Sequence, residues 1–222
     1  MTPTAALFDI DGTLVDSNYL HVEAWSIAFA KLDVAIDTWR SHRGIGMDSG
    51  KLLEALLGDD EDGVGDRAKD LHSSEYETLT SRLRAFHRAQ ELLRTLVERG
   101  VRVVLATSAP DNELEILRGV LDVDDILHAT TSSSDVETAK PEPDVVTVAL
   151  EKAGVAASDA VFIGDSVWDM IAATRAGVAP VGVLSGGYSA AELRDAGTVE
   201  VYDDVADLLE KLQQSALAAL DR

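Results

Sequence analysis

The chain has 222 residues, enough to bury a sizeable core, and its 40 acidic and 19 basic residues give a formal net charge of −21 at pH 7. So acidic a chain is unsuited to nucleic acids and anionic membranes, both of which need basic patches on the protein. The absence of cysteine excludes disulfides, thiol catalysis and zinc–thiolate sites.

The N-terminus has no basic segment and leads directly into an apolar run, so we expect no signal peptide. No apolar run reaches the roughly 20 residues that a transmembrane helix requires. We therefore expect a cytoplasmic protein without membrane or nucleic-acid partners, either a monomer or a homodimer.

The first predicted strand is the apolar run from Ala5 to Phe8, and it ends at two aspartates, Asp9 and Asp11. In an extended segment, residues i and i+2 point the same way, so the two carboxylates should share one side. Because crowded carboxylates repel each other unless a cation lies between them, we expect a bound divalent ion. Mg²⁺ is the first choice for oxygen ligands. A strand ending in a polar turn at Gly12 is the alternative for this short pattern.

Helical patterns without an intervening strand fill the stretch from about residue 16 to residue 86. They predict an inserted all-helical domain with helices at about 17–31, 38–42, 50–57 and 66–83. The acidic, glycine-rich residues 58–66 are expected to form a solvated turn. A calcium loop there would need an acid where Lys69 stands.

From residue 89 onward, helices and strands alternate. Helices are predicted at 89–99, 112–121, 143–153, 169–176, 190–196 and 205–220, and strands at 101–106, 126–129, 160–163, 178–183 and 199–202. Strands separated by helices imply a parallel sheet with crossover helices, which is an α/β, doubly wound architecture.

Polar residues that could bind a ligand follow several of these strands. They are Thr107 and Ser108 after the second strand, Lys140 before a helix, and Asp165 and Asp169 after a later strand. Each has an ordinary alternative: a helix cap for the hydroxyls, a surface charge for the lysine, and a first-turn helix acid for Asp169. Because ligands of an open parallel sheet bind at the carboxyl ends of the strands, the group as a whole predicts a site there.

These residues resemble the four motifs of the haloacid dehalogenase-like hydrolase superfamily. The matching segments are Asp9-x-Asp11-Gly12-Thr13-Leu14-Val15-Asp16-Ser17, Thr107, Lys140-Pro141 and Gly164-Asp165-Ser166-x-x-Asp169. The helical insert resembles that of the subgroup with a helical cap, which includes phosphoglycolate phosphatases and β-phosphoglucomutases. The resemblance implies a Rossmann-like catalytic core, residues 1–15 and 87–222, and an inserted cap, residues 16–86.

The resemblance also implies roles for the catalytic residues. Asp9 would be the nucleophile that forms an aspartyl-phosphate, and Asp11 would act as general acid and then as general base. Thr107 and Lys140 would hold the phosphoryl oxygens. The presence of Asp11 argues against a true dehalogenase, because such members of the superfamily lack this second aspartate.

A magnesium site is implied by the same motifs. Its ligands would be the Asp9 carboxylate, the Asp11 backbone carbonyl and Asp165, with Asp169 supporting the ion directly or through water.

Three residues are candidates for binding the substrate: Ser108, His21 and Arg43. His21 shares a helix face with Trp25, a pair that also occurs in sugar-phosphate members of the subgroup, although Trp25 is equally explained by packing. Arg43 lies in residues 42–47, a stretch that resembles a loop closing over substrate in relatives. A solvent-facing arginine is the alternative.

We therefore expect a Mg²⁺-dependent phosphatase that acts on a small phosphorylated metabolite. The alternatives are a sugar phosphomutase of the β-phosphoglucomutase type and a non-enzymatic phosphate-binding regulator. A mutase needs a second cationic phosphate site, but Met47 stands where the mutase relatives have an arginine. A regulator has no need of both a nucleophile and an acid, here Asp9 and Asp11.

Overall fold

In the computed structural model, which describes residues 4–58, 63–136, 138–198 and 200–220, the chain divides into two compact units. One unit is Ser17–Leu83, and the other combines Met1–Asp16 with Arg84–Arg222. The first is helical and the second contains the sheet, so the predicted α/β core with an all-helical insert is confirmed.

The larger unit contains, among the residues described, a six-stranded sheet in which all paired strands are parallel. The strand order is β3-β2-β1-β4-β5-β6. The strands are β1 (Ala5–Phe8), β2 (Arg102–Leu105), β3 (Ala129–Thr130), β4 (Ala160–Gly164), β5 (Ala179–Val183) and β6 (Glu200–Tyr202). Strands β1 and β4 are buried along their whole length, as the apolar runs predict.

Four α-helices form the described part of the helical unit, and six accompany the sheet. The first four are α1 (Asn18–Lys31), α2 (Thr38–Gly44), α3 (Ser49–Leu57) and α4 (Val64–Leu79). The others are α5 (Ala89–Glu98), α6 (Asp111–Leu121), α7 (Asp144–Ala153), α8 (Val167–Arg175), α9 (Ala190–Asp195) and α10 (Val205–Glu210).

The core of the larger unit joins the sheet to the helices. The face of α7 formed by Val145, Val146 and Ala149 packs in one cluster with Leu7 of β1 and Phe162 of β4. The i, i+1, i+4 spacing of the three α7 residues gives an apolar stripe about one helix face wide, which is why this segment docks on the sheet. Packing of this kind fixes the strand ends from which the site residues extend.

The helical unit has its own apolar core. Val22, Trp25 and Phe29 lie on one face of α1 and pack against Leu52 and Leu56 of α3. Trp25 is only 3% exposed, so it is packed in this core, as the alternative interpretation of this residue predicts.

Two predicted elements differ from the structure. The helix predicted over 205–220 was wrong in its length, because α10 ends at Glu210 and two short 3₁₀ turns follow it. The chain is extended at Ser215, whose hydroxyl donates to the Leu212 carbonyl at 2.8 Å, and the amide of Ala216 donates to Glu200 Oε2 at 2.9 Å. The strand predicted over 126–129 lies at Ala129–Thr130. Of the acidic turn predicted over 58–66, residues 59–62 lie outside the described residues, and residues 64–66 already belong to α4.

Candidate active site

The ends of strands β1 and β4 bring two aspartates to one edge of the sheet. Phe8 pairs with Ile163, so Asp9 and Asp165 follow neighbouring strands at almost the same level. The amide of Asp9 also donates to the carbonyl of Ile163 at 2.9 Å. The register of the sheet therefore determines the spacing of these carboxylates.

Asp9, Asp165 and Asp169 form the acid cluster. One carboxylate oxygen from each lies within 4.8 Å of the others. The three residues are 4%, 1% and 0% exposed, respectively. Three carboxylates so close and so deeply buried need a compensating cation.

Lys140 supplies part of that compensation. Its Nζ donates to Asp9 Oδ1 at 2.5 Å and forms an ion pair with Asp169 Oδ1 at 2.7 Å. A single ammonium pairs with two of the three buried carboxylates, so the cluster has more carboxylates than cations. An oxygen set with excess negative charge suits a hard divalent cation, so these residues fit the metal site implied by the motifs.

The electrostatics of Asp9 agree with a site that lacks positive charge. Burial raises the pKa of Asp9 to about 7; the Lys140 charge opposes this, and the charges of Asp169 and Asp11 add to it. For Lys140, burial alone would lower the pKa, but the charges of Asp169 and Asp9 outweigh it and raise the pKa above its ordinary value. Lys140 is therefore an ammonium at any physiological pH.

Asp169 has two different surroundings for its two oxygens. Its Oδ2 accepts hydrogen bonds from the amide and the hydroxyl of Ser166, at 3.0 and 2.7 Å, in a capping box at the start of α8. Its Oδ1 forms the ion pair with Lys140. Oδ2 therefore caps helix α8, as the alternative interpretation predicts, whereas Oδ1 takes no part in the cap and could bind a metal.

Asp11 stands apart from the three converging carboxylates. It is half-buried, and it lies near enough to raise the pKa of Asp9. Its carboxylate is not one of the three in the acid cluster, and a metal contact through its backbone carbonyl stays a prediction.

Thr107 and Ser108 follow β2, the other neighbour of β1. Thr107 is buried; its Oγ1 accepts from the amide of Ala109 at 3.0 Å, and its carbonyl accepts from the hydroxyl of Thr131 at 2.7 Å. The N-cap of α6 is Pro110, so neither Thr107 nor Ser108 caps that helix. The hydroxyls thus belong to the strand-end loop, at the same edge as Asp9.

The remaining two predicted site residues belong to the helical unit. His21, on α1, is half-buried: its ring stacks on Tyr76 with centroids 3.9 Å apart, and its Nδ1 lies 3.2 Å from Nε2 of His72. Burial, with the neighbouring His21, lowers the pKa of His72 to about 3, so His72 is neutral. Arg43, on α2, is also half-buried. The roles of His21 and Arg43 stay predictions.

Three residues at this edge were not singled out from the sequence. Thr13 is buried and its hydroxyl donates to Asp165 Oδ1 at 2.8 Å. The hydroxyl of Ser185 donates to the carbonyl of Gly12 at 2.6 Å, and Gly186 lies against Asp165. Ser185 and Gly186 follow β5. Because ligands of an open parallel sheet bind at the carboxyl ends of the strands, a search of the residues after β5 would have found them.

Comparison with known proteins agrees with the motifs. A family described as haloacid dehalogenase-like hydrolase matches residues 3–177. The chain is 31% identical over 219 residues to a phosphoglycolate phosphatase of Rhodospirillum rubrum, with 93% of this chain and 89% of the relative covered. A crystal structure of a hydrolase from Pseudomonas syringae superposes with a TM-score of 0.90 at 37% identity, over 96% of this chain and 98% of the other.

A β-phosphoglucomutase from Clostridium difficile shares the fold alone, with a TM-score of 0.83 at 19% identity over 100% of both chains. Within the described residues, no helix combines the length and the apolar character needed to cross a bilayer. The matched family covers most of the chain and includes the segments that carry the acid cluster and Lys140, and the chain therefore belongs to the haloacid dehalogenase-like hydrolases.

Proposed function

We propose that this hydrolase is a Mg²⁺-dependent phosphatase that removes the phosphoryl group from a small phosphomonoester through an aspartyl-phosphate. The observation that carries the proposal is the acid cluster at the strand ends with Lys140 hydrogen-bonded to Asp9. The relatives named phosphoglycolate phosphatase support a phosphatase and make a small carboxylated phosphomonoester the first substrate to test.

The metal would be held by the carboxylates of Asp9, Asp165 and Asp169 and by the backbone carbonyl of Asp11. When bound, Mg²⁺ neutralises charge on the phosphoryl group and orients it toward Asp9. The feature of the site that best fits such an ion is the excess of buried carboxylates, three against the single ammonium of Lys140.

The protein's own residues account for the chemical steps. A carboxylate oxygen of Asp9 attacks phosphorus while the bond from phosphorus to the substrate's leaving oxygen breaks. Asp11 gives its proton to that oxygen. Asp11 then takes a proton from a water whose oxygen attacks the same phosphorus, releasing inorganic phosphate and restoring the carboxylate of Asp9. Lys140 and Thr107 stabilise the phosphoryl oxygens throughout.

Substrate recognition is assigned to Ser108 in the core and to His21 and Arg43 in the cap. We take residues 1–15 and 87–222 as the catalytic core and residues 16–86 as the cap. The proposed setting is cytoplasmic, with the enzyme a monomer or a homodimer.

The identity of the products separates this proposal from the mutase. With Mg²⁺, p-nitrophenyl phosphate and 2-phosphoglycolate should both release inorganic phosphate. β-Glucose 1-phosphate, if turned over, should yield phosphate and no glucose 6-phosphate, because Met47 and residues 108–112 offer no cation for a second phosphate. Glucose 6-phosphate as the main product would replace the phosphatase by the mutase, and no turnover of any phosphate ester would favour the regulator.

Asp11→Asn should lower the steady-state turnover of p-nitrophenyl phosphate by on the order of 10²- to 10⁴-fold, because it removes the proton donor and acceptor but leaves the nucleophile. Mass spectrometry of the quenched protein should then detect a phosphorylated form, since hydrolysis of the aspartyl-phosphate is slowed. Turnover at the wild-type rate would show that Asp11 is not the general acid and base.

A further inference from the structure

The segment that follows β5 touches two parts of the site that lie far away in sequence. Ser185 and Gly186 belong to a short 3₁₀ turn, Leu184–Gly186, at the carboxyl end of that strand. One contacts the loop after β1, and the other contacts the loop after β4. Neither residue belongs to the four motifs or takes part in the proposed chemistry.

Ser185 acts on the loop that carries Asp11. Its hydroxyl donates to the backbone carbonyl of Gly12 at 2.6 Å, across 173 positions of the chain. Gly12 has φ of +75°, and its amide donates to the carbonyl of Val15 at 2.9 Å, so this turn already has a defined shape. The Ser185 bond connects this turn, whose Gly12 directly follows Asp11, to the segment after β5.

Gly186 acts on Asp165 through close packing. A Cβ placed on Gly186 would lie 1.7 Å from Oδ2 of Asp165 and 2.5 Å from its Cγ. No side chain fits at position 186 unless the carboxylate moves. The other oxygen of Asp165, Oδ1, accepts the hydrogen bond from Thr13 at 2.8 Å. Asp165 is therefore held between Thr13 on one side and the Gly186 backbone on the other.

These contacts connect three strand-end loops: the β1 loop to the β4 loop through Thr13 and Asp165, and both to the β5 turn through Ser185 and Gly186. We propose that Ser185 and Gly186 are positioning residues for the metal ligands of this enzyme, Ser185 through the Gly12 carbonyl and Gly186 through the Asp165 carboxylate. The inference rests on the proposed metal-dependent function. It goes beyond that function because it assigns the affinity for the metal partly to a turn that supplies no ligand.

The test measures Mg²⁺ binding to the metal-free protein by isothermal titration calorimetry, with the thermal unfolding midpoint recorded for every variant. Ser185→Ala should weaken Mg²⁺ binding about tenfold, which is the usual effect of removing a group that orients a ligand. Gly186→Ala should weaken it by on the order of 100-fold, because the new methyl group displaces the Asp165 carboxylate itself. The KM for p-nitrophenyl phosphate at saturating Mg²⁺ should change much less than the Mg²⁺ dissociation constant.

Two matched controls separate positioning from general destabilisation. Ser189→Ala, four residues after Ser185, removes the hydroxyl that caps α9, so it should lower the unfolding midpoint and leave Mg²⁺ affinity unchanged. Gly119→Ala makes the same change as Gly186→Ala at an exposed position of α6, where the added Cβ would have no neighbouring atom within 4 Å. It should lower neither the Mg²⁺ affinity nor the unfolding midpoint.

The outcomes distinguish the inference from the function on which it rests. A wild-type protein that binds no Mg²⁺ would overturn both. A wild-type protein that binds Mg²⁺ while Ser185→Ala binds it equally well would overturn the positioning role of Ser185 and leave the proposed function intact. If Gly186→Ala does not fold, the Mg²⁺ affinity of Ser185→Ala still tests whether the turn after β5 positions the metal ligands. Equal losses of Mg²⁺ affinity in Ser185→Ala and Ser189→Ala would also overturn the inference.

Discussion

Asp9→Asn is expected to reduce turnover of p-nitrophenyl phosphate by on the order of 10⁴-fold or more, with the fold intact. An amide oxygen is a far weaker nucleophile than a carboxylate, and the loss of a covalent nucleophile removes most of the rate enhancement. The two side chains have the same shape, so the buried position next to Lys140 stays filled. Steady-state turnover with saturating Mg²⁺ is the measurement.

The control is Asp195→Asn, which makes the same change of charge on an exposed side chain at the end of α9 and should retain wild-type turnover. Residual activity of Asp9→Asn within tenfold of the wild type would contradict the assignment of Asp9 as nucleophile. Circular dichroism of both variants checks that any loss does not come from unfolding.

The stability of the metal-free protein provides a second readout for the same variant. Because the pKa of Asp9 is raised from 3.8 to about 7, the folded state binds more protons than the unfolded state between these values. This group therefore lowers the free energy of unfolding as the pH rises from about 4 to about 7. The thermal unfolding midpoint of metal-free wild type, measured relative to that of metal-free Asp9→Asn, should therefore fall as the pH rises over that range.

The elements that carry the site could be predicted because their signals are local. Strands β1 and β4 are short apolar runs that end abruptly at acidic residues, and a parallel sheet brings the ends of its strands to one edge. Asp9 and Asp165 follow from that rule without any knowledge of packing. The helical insert likewise follows from 3.6-residue periodicity, as the apolar face of α1 shows.

The features that were missed depend on contacts between distant segments. After α10 ends at Glu210, the amide of Ala216 donates to Glu200, and the apolar pattern of the sequence, which continues through this segment, gives no sign of that contact. The short edge strand β3 lies where Val104 pairs with Ala129, so partner register and not local hydrophobicity sets its position.

The acid cluster also combines features that the local sequence predicts with contacts that it does not. The sequence identified Asp169 but allowed two interpretations, a helix-capping acid or a metal ligand. In the structure, Oδ2 accepts the bonds of the helix cap and Oδ1 pairs with Lys140, and the role of Asp169 as a metal ligand stays a prediction. The bond from Ser185 to Gly12 has no local signature, because the two residues are 173 positions apart and nothing in the segment around Ser185 indicates a partner in the first motif.

Removal of divalent metal is expected to reduce turnover by at least about 100-fold, and added Mg²⁺ should restore it. Without a metal, the acid cluster faces an incoming phosphate dianion with Lys140 as the cation at its centre, and like charges within a few ångströms repel strongly in a buried site. The measurement is turnover after dialysis against EDTA, followed by titration with Mg²⁺.

Calcium gives the sharper form of this experiment. Ca²⁺ also prefers oxygen ligands, so it should bind to the acid cluster and raise the thermal unfolding midpoint as Mg²⁺ does. It takes more ligands at longer distances and with looser geometry, so the phosphoryl group should be held less accurately in front of Asp9 and turnover should stay low. Full activity of EDTA-treated, metal-free protein would contradict a metal requirement. Equal turnover with Ca²⁺ and Mg²⁺ would show that catalysis does not require the octahedral geometry that Mg²⁺ prefers.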